Sequence, residues 1–239
     1  MENKKIKRLA IIPARGGSKR IPRKNIKDFL GKPIIIYPLR TLKNSGLFDD
    51  IHVSTEDVEI FDIVKKNGFE PKFFRDESLS GDLTPTLPVL RYVVEQYEKL
   101  NLTFDEIWLV NPCSPLIDVD DLRKAAQIYN SRMCNCALLA VSELPIPLEW
   151  AYTINSDEVL VPFMEGEFAK RSQDLSKAYY DTGTFAIFSR DIIVNSSGAG
   201  INEKFIGYRL PKNHSIDIDD LEDWDLAEDI YFSSANRNK

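Results

Sequence analysis

Between Ile11 and Asn25 the chain reads Ile-Ile-Pro-Ala-Arg-Gly-Gly-Ser-Lys-Arg-Ile-Pro-Arg-Lys-Asn, with five cationic side chains (Arg15, Lys19, Arg20, Arg23, Lys24) inside ten residues. Adjacent glycines, Gly16 and Gly17, let a main chain bring its N–H groups close to an oxyanion, and the flanking Arg and Lys add full charges that amide dipoles lack. The segment from Ala14 to Ser18 is thus fit to cradle an anion, although a solvated basic loop would have the same composition. Neither common phosphate fingerprint is present: there is no G-x-G-x-x-G and no G-x-x-x-x-G-K followed by Ser or Thr.

Near the other end, Asp217 and Asp219 stand two apart, so in an extended segment both carboxylates face the same way. Such a pair suits Mg2+, which keeps most of its waters and needs only one or two carboxylates plus substrate phosphates. The alternative is that both merely favour the dipole of a following acidic helix, as Asp220, Glu222 and Asp223 do. Joined to the basic loop, the pair makes a coherent phosphoryl-transfer site, in which cations bind a polyphosphate, a metal neutralises the α-phosphate, and catalysis is positioning plus electrostatics. No nucleophile set competes with this. His52 and His214 are the only imidazoles and read as structural. Cys113 stands at a strand end without a readable His partner, and Cys113, Cys134 and Cys136 read as reduced, packed thiols, since Cys-Asn-Cys is not a zinc pattern.

The elements that would carry these groups alternate. An apolar run from Leu9 to Ile12 feeds the glycine loop; Gly31-Lys32-Pro33 reads as a turn with Pro at a helix start, and Ile34 to Leu42 gives that helix, stopped at Asn44-Ser45-Gly46; Ile51 to Ser54 gives a strand. Asp57 to Lys66 is helical in pattern and ends at Asn67-Gly68, and Pro71 to Phe74 reads as a short strand ending in Arg75. A helix starts at Thr84-Pro85, Ile107 to Val110 is a buried strand running into Asn111, Asp118 caps a helix to about Tyr129, and Ala137 to Val141 is a further strand. From 143 to 180 the pattern changes, with Pro145, Pro147 and Pro162, frequent aromatics (Trp150, Tyr152, Phe163, Phe168) and strand-like runs at Trp150–Ile154 and Val159–Phe163. This reads as an excursion from the sheet, whose aromatics cover a substrate or a second subunit or form a satellite core. Strands follow at Thr184–Phe188 and Phe205–Leu210, then an acidic helix from Leu221 to Phe232. Alternation of strand and helix predicts an α/β fold with a mostly parallel sheet, whose ligand lies at the carboxyl ends of the strands, where Ala14 to Ser18, Thr55, Arg75 and Asn111 would share one crevice.

At 239 residues and 43% hydrophobic, the chain can bury one large core. A net charge of −6 argues against a general nucleic-acid binder, yet ten of the 31 cations lie in the first 27 residues, and eight acids without a cation lie between Asp217 and Asp229. No apolar run approaches the ~20 residues that cross a bilayer, and no hydrophobic leader precedes Lys4, so a cytoplasmic protein without membrane partners is expected.

The run from Ile12 to Asn25 resembles the signature of the acylneuraminate cytidylyltransferases, which activate nine-carbon acidic sugars with CTP. Asp28-Phe-Leu-Gly-Lys-Pro33, Asn111-Pro-Cys-Ser-Pro115 and Ser215-Ile-Asp-Ile-Asp219 recur in that family's order. Within it, Arg171-Ser-Gln-Asp-Leu175 followed by Ala178-Tyr-Tyr-Asp-Thr-Gly183 most resembles the pseudaminic acid branch rather than the sialic and legionaminic ones, departing from it at Tyr180 and Thr182. The resemblance implies a Rossmann-like sheet of the nucleotide-diphospho-sugar transferase type with helices on both faces, in one domain over 1–239 with an inserted dimerisation region at about 143–180. It further implies that Ala14, Arg15, Gly16, Gly17, Ser18, Lys24, Asn25, Arg75 and Asn111 contact CTP, with Arg15 and Lys24 on the triphosphate. Arg171, Gln173 and Asp181 would read the sugar acid, and Asp217 and Asp219 would hold Mg2+ in a homodimer. Arg15, Lys24 and Asp217 are the expected catalytic groups, while Lys19, Arg20 and Arg23 read as solvated. A CTP-binding sensor without catalysis is the reading from another class.

Overall fold

The structure is a computed structural model and describes residues 5–132, 136–164, 166, 170–195 and 204–237, with the backbone alone at Ser172 and 235–237. Cys134 and Phe168 lie outside these residues. In chain order the described elements are β1 (Arg8–Pro13), β2 (Asp28–Phe29), β3 (Lys32–Pro33), α1 (Ile36–Ser45), β4 (Asp50–Ser54), α2 (Val58–Lys66), α3 (Thr86–Lys99), β5 (Glu106–Val110), α4 (Val119–Ser131), β6 (Ala137–Glu143), β7 (Tyr152–Ile154), β8 (Leu160–Pro162), β9 (Tyr179–Ser189), α5 (Arg190–Asn195), β10 (Phe205–Arg209) and α6 (Leu221–Arg237).

The main sheet runs β10-β6-β9-β5-β1-β4. β1 pairs in parallel with β4 and β5, and β10 with β6, whereas β9 is antiparallel to both its neighbours. Strand alternation sorts β1 between two layers. Ala10 and Ile12 face α1, α2 and α4 in one core, whereas Leu9 and Ile11 face α3 and α5 in the other. A third cluster, with Phe29, Ile34, Tyr37, Ile218 and Trp224, docks the β2–β3 ribbon and α6 beside the first layer.

The chain leaves β1 toward β4 on one side and returns through α3 to β5 on the other, so the crevice opens between the carboxyl ends of β1 and β5. Because β9 runs antiparallel, its first residues reach the same edge, with Phe185 opposite Val110. Helix ends follow local chemistry. Gly46 (φ 67) and Gly68 (φ 83) take the left-handed conformation that closes α1 and α2. Asp118 and Asp121 form a reciprocal capping box on α4.

Three expectations change. The segment from Pro71 to Phe74 is a bend, not a strand: Phe73 packs on His52 and Tyr97, Phe74 stacks on Phe61, and Arg75 N donates to Thr55 O at 2.8 Å. Its apolar side chains are held by packing rather than by a ladder. Gly31-Lys32-Pro33 belongs to the β2–β3 ribbon instead of starting a helix, with Gly31 at φ 86 in its turn. Finally, β7 and β8 form a two-stranded ribbon exposed on both faces, so their side chains are not satellite core.

Candidate active site

Ala14 N donates to Ser54 O at 2.9 Å, extending the β1–β4 pairing by one residue before the chain leaves the sheet. Gly16 then crosses the start of α2. Its N–H donates to Glu56 Oε1 at 2.9 Å, and a Cβ there would strike the Asp57 carboxylate. Gly17, by contrast, has open space around it. Asp57 caps α2 through Ile60 N at 3.0 Å and receives both arms of Arg23, at 2.5 and 3.0 Å. Arg23, in the left-handed region at φ 56, also reaches Glu59. The hydrogen bond from Arg23, more than any other influence, holds the Asp57 carboxyl below its ordinary range. The glycine loop is thus clamped from below by Glu56 and Asp57, neither of which sequence reasoning singled out. The only signal for them was an acidic cap at a helix start.

The positive start and negative end of the chain meet here. Lys24 Nζ donates to Ile218 O at 2.6 Å and lies 3.7 Å from Asp219 Oδ1, while Arg20 pairs with Asp219 at 2.9 Å. Lys19 pairs with Asp82. Lys19, Arg20 and Arg23 are therefore ion-paired rather than merely solvated, because the acids that meet them are distant in sequence.

Asn25 is buried and acts as a strut: Nδ2 donates to Arg15 O at 2.9 Å, and Oδ1 accepts from the Cys113 thiol at 3.4 Å. Burial pushes the Cys113 thiol up to about 12, so it stays protonated and is no nucleophile. Asn111 N donates to Thr184 O at 2.8 Å, and its Oδ1 accepts from Cys113 N at 2.9 Å. Arg75 is buried against β4, donating to Ser54 Oγ at 3.1 Å and to Ser54 O, with Glu56 3.8 Å away. Burial lowers its pKa and Glu56 opposes the shift.

Gly183, at φ 65, takes its amide onto Asp181 Oδ1 at 2.8 Å. A Cβ on it would lie 3.4 Å from Asp217 Oδ2, so the glycine admits the carboxylate close to β9. The Asp217 carboxyl is raised above its ordinary range, by desolvation first and by Asp219 second, with Lys24 opposing. Among the described residues it has no hydrogen bond or ion pair.

These groups surround a cleft of about 520 Å³, lined by Arg15, Ser18, Lys24, Asn25, Arg75, Asn111, Asp181 and Asp219. Ala14, Gly16 and Gly17 belong to the same loop, and Asp217 flanks the cleft against Gly183. Arg171 and Gln173 are not among the lining residues. Arg171, with its side chain 73% exposed, donates to Asp174 at 3.0 Å, and Gln173 is exposed in a single 3-10 turn. A second carboxylate and imidazole group, Asp118, Asp121 and His214, lies elsewhere. Its atoms serve the α4 cap, the Tyr208 hydroxyl and the His214–Asp121 contact of 2.7 Å.

A cleft of this polarity at the switch point of a largely parallel sheet defines a nucleotide-binding α/β protein. The fold is similar to a solved structure of CMP:2-keto-3-deoxy-manno-octonic acid synthetase complexed with CTP, at a TM-score of 0.69 and 16% identity, covering 95% of this chain and 99% of that one. The family model described as Cytidylyltransferase matches residues 9–199, and the chain belongs to that family. It is 37% identical over 232 residues to a pseudaminic acid cytidylyltransferase of Campylobacter jejuni, covering 95% of this chain and 97% of the relative. It is also 28% identical over 225 residues to a CMP-N,N'-diacetyllegionaminic acid synthase of Legionella pneumophila, covering 93% and 95%. Among the described residues no helix is long and apolar enough to cross a membrane.

Proposed function

We propose that this cytidylyltransferase transfers CMP from CTP to the anomeric hydroxyl of a nine-carbon 2-keto sugar acid, most closely pseudaminic acid, with release of pyrophosphate. The reading rests above all on one observation: Lys24 and Asp219, 195 residues apart in sequence, stand 3.7 Å apart at one cleft. It is supported by the 37% identity to the Campylobacter jejuni relative.

In this account Arg15 and Lys24 hold the triphosphate, Ser18 and the Gly16–Gly17 backbone approach it, and Asn25 fixes the loop through Arg15 O. Arg75 and Asn111 lie toward the nucleoside. Asp181 reads the sugar, and Arg171 and Gln173, on the segment preceding β9, take its carboxylate and polar groups. Asp217 and Asp219 fit Mg2+: Asp217 has no hydrogen bond or ion pair among the described residues and feels the charge of Asp219, which faces the cleft with Arg20 and Lys24 as its present partners. When bound there, the ion would supply charge neutralisation at the α-phosphate. The protein's own part is to align the sugar hydroxyl with phosphorus and to stabilise the pyrophosphate leaving group with cations. The chain is read as one domain over 1–239, with 143–180 as an inserted region that pairs two subunits.

Lys24→Ala and Asp217→Ala are expected to lower turnover by about a hundredfold or more while melting temperature stays near that of the unaltered protein. Pyrophosphate release at the normal rate by either variant would remove the role assigned to that residue.

A further inference from the structure

The chain between the single 3-10 turn Glu77–Leu79 and α3 forms one wall of the cleft through Leu79, Gly81, Asp82 and Thr84. Asp82 turns its carboxylate onto the opposite wall. Oδ1 accepts from Arg15 Nη1 at 2.5 Å, and Oδ2 pairs with Lys19. Both cations belong to the glycine loop, so a single carboxylate bridges two of the groups best placed to meet a polyphosphate. The hydrogen bond from Lys19 is the main cause that holds the Asp82 carboxyl below its ordinary range. The residue after it, Leu83, is 96% exposed and packs against nothing that would resist movement of the loop.

A carboxylate and a phosphate chain compete for the same guanidinium and ammonium groups, and sharing them would bring like charges together. Ion pairs as exposed as these are individually weak, so a multiply charged phosphate chain outcompetes a single carboxylate. We infer that Asp82 is an internal stand-in for the polyphosphate: it occupies Arg15 and Lys19 in the empty site, yields them to CTP by movement of the 80–85 loop, and reclaims them to help expel pyrophosphate. The inference rests on the reading of Arg15 as a triphosphate ligand. Asp82 then sets affinity for ligands that carry a diphosphate or longer tail and is indifferent to those with a single phosphate.

The test is calorimetric titration of the unaltered protein, Asp82→Asn and Asp82→Glu with CTP, pyrophosphate and CMP, in Mg2+ and without sugar acid, with thermal melts to verify folding. Asp82→Asn is expected to bind CTP and pyrophosphate roughly threefold to tenfold more tightly and to bind CMP unchanged. Asp82→Glu should restore the original affinities. Equal or weaker binding of pyrophosphate by folded Asp82→Asn, or an equal gain for CMP, would overturn the inference. Failure of the unaltered protein to bind CTP at all would instead remove the nucleotide reading beneath it.

Discussion

At the scale of single residues, the two glycines of the loop have different reasons to be there. Gly16 has no room for a side chain, because Asp57 occupies the space a Cβ would need while also holding Arg23 and capping α2. Asp57 cannot move without loosening both contacts. Gly16→Ala is therefore expected to cost about 1–3 kcal/mol of stability and to misplace Arg15. Gly17→Ala, with nothing within 4 Å, should melt like the unaltered protein and lose activity only if a ligand needs that space. Melting curves and CTP titrations of the two variants check this, and equal destabilisation by both would contradict it. The glycine pair was legible in the sequence, but the distinction was not, since it depends on a carboxylate 41 residues away brought up by the β1–β4 pairing. Asp82 escaped notice for the same reason: an isolated acid in a polar loop carries no pattern, and only the fold sets it against Arg15.

At the scale of elements, α4 is tied to the segment that carries the acidic pair. Asp121 closes the α4 capping box, accepts from Tyr208 of β10 and contacts His214, three residues before Asp217. Asp121 raises the His214 pKa chiefly by their hydrogen bond, and the same contact helps hold Asp121 below its ordinary range against desolvation. A raised imidazole pKa stabilises the fold fully below the unfolded value of about 6.5 and loses that contribution as pH rises through the higher folded value. The lowered carboxyl pKa contributes above about 3.9 and is lost on acidification. His214→Gln should therefore lower the melting temperature most at pH values below the unfolded imidazole value of about 6.5, and progressively less as pH rises through the raised folded value. A deficit that grows with pH would contradict this. Strands and long helices were readable from apolar spacing, and helix ends from Asp118 and the closing glycines. The Pro71–Phe74 bend was not, because its aromatic residues mimic a strand while its backbone pairs only through Arg75.

At the scale of the whole molecule, the β7–β8 ribbon leaves Ile154, Val159, Leu160, Val161 and Phe163 exposed together, each by at least 40%. We read this cluster as the surface through which the proposed dimer would form. Dimerisation through it is expected to give a two-chain mass by light scattering at micromolar concentration, reduced to one chain in Val161→Asp/Phe163→Asp. A one-chain mass for the unaltered protein would remove the dimer. The central claim, that the cleft joins CTP to a nine-carbon sugar acid, is tested most directly by pyrophosphate release with CTP, Mg2+ and a panel of pseudaminic, legionaminic and sialic acids. The account expects release that depends on the sugar acid and is fastest with pseudaminic acid. Fastest release with sialic acid would overturn the branch, and no release with any of the three would contradict the proposed reaction itself.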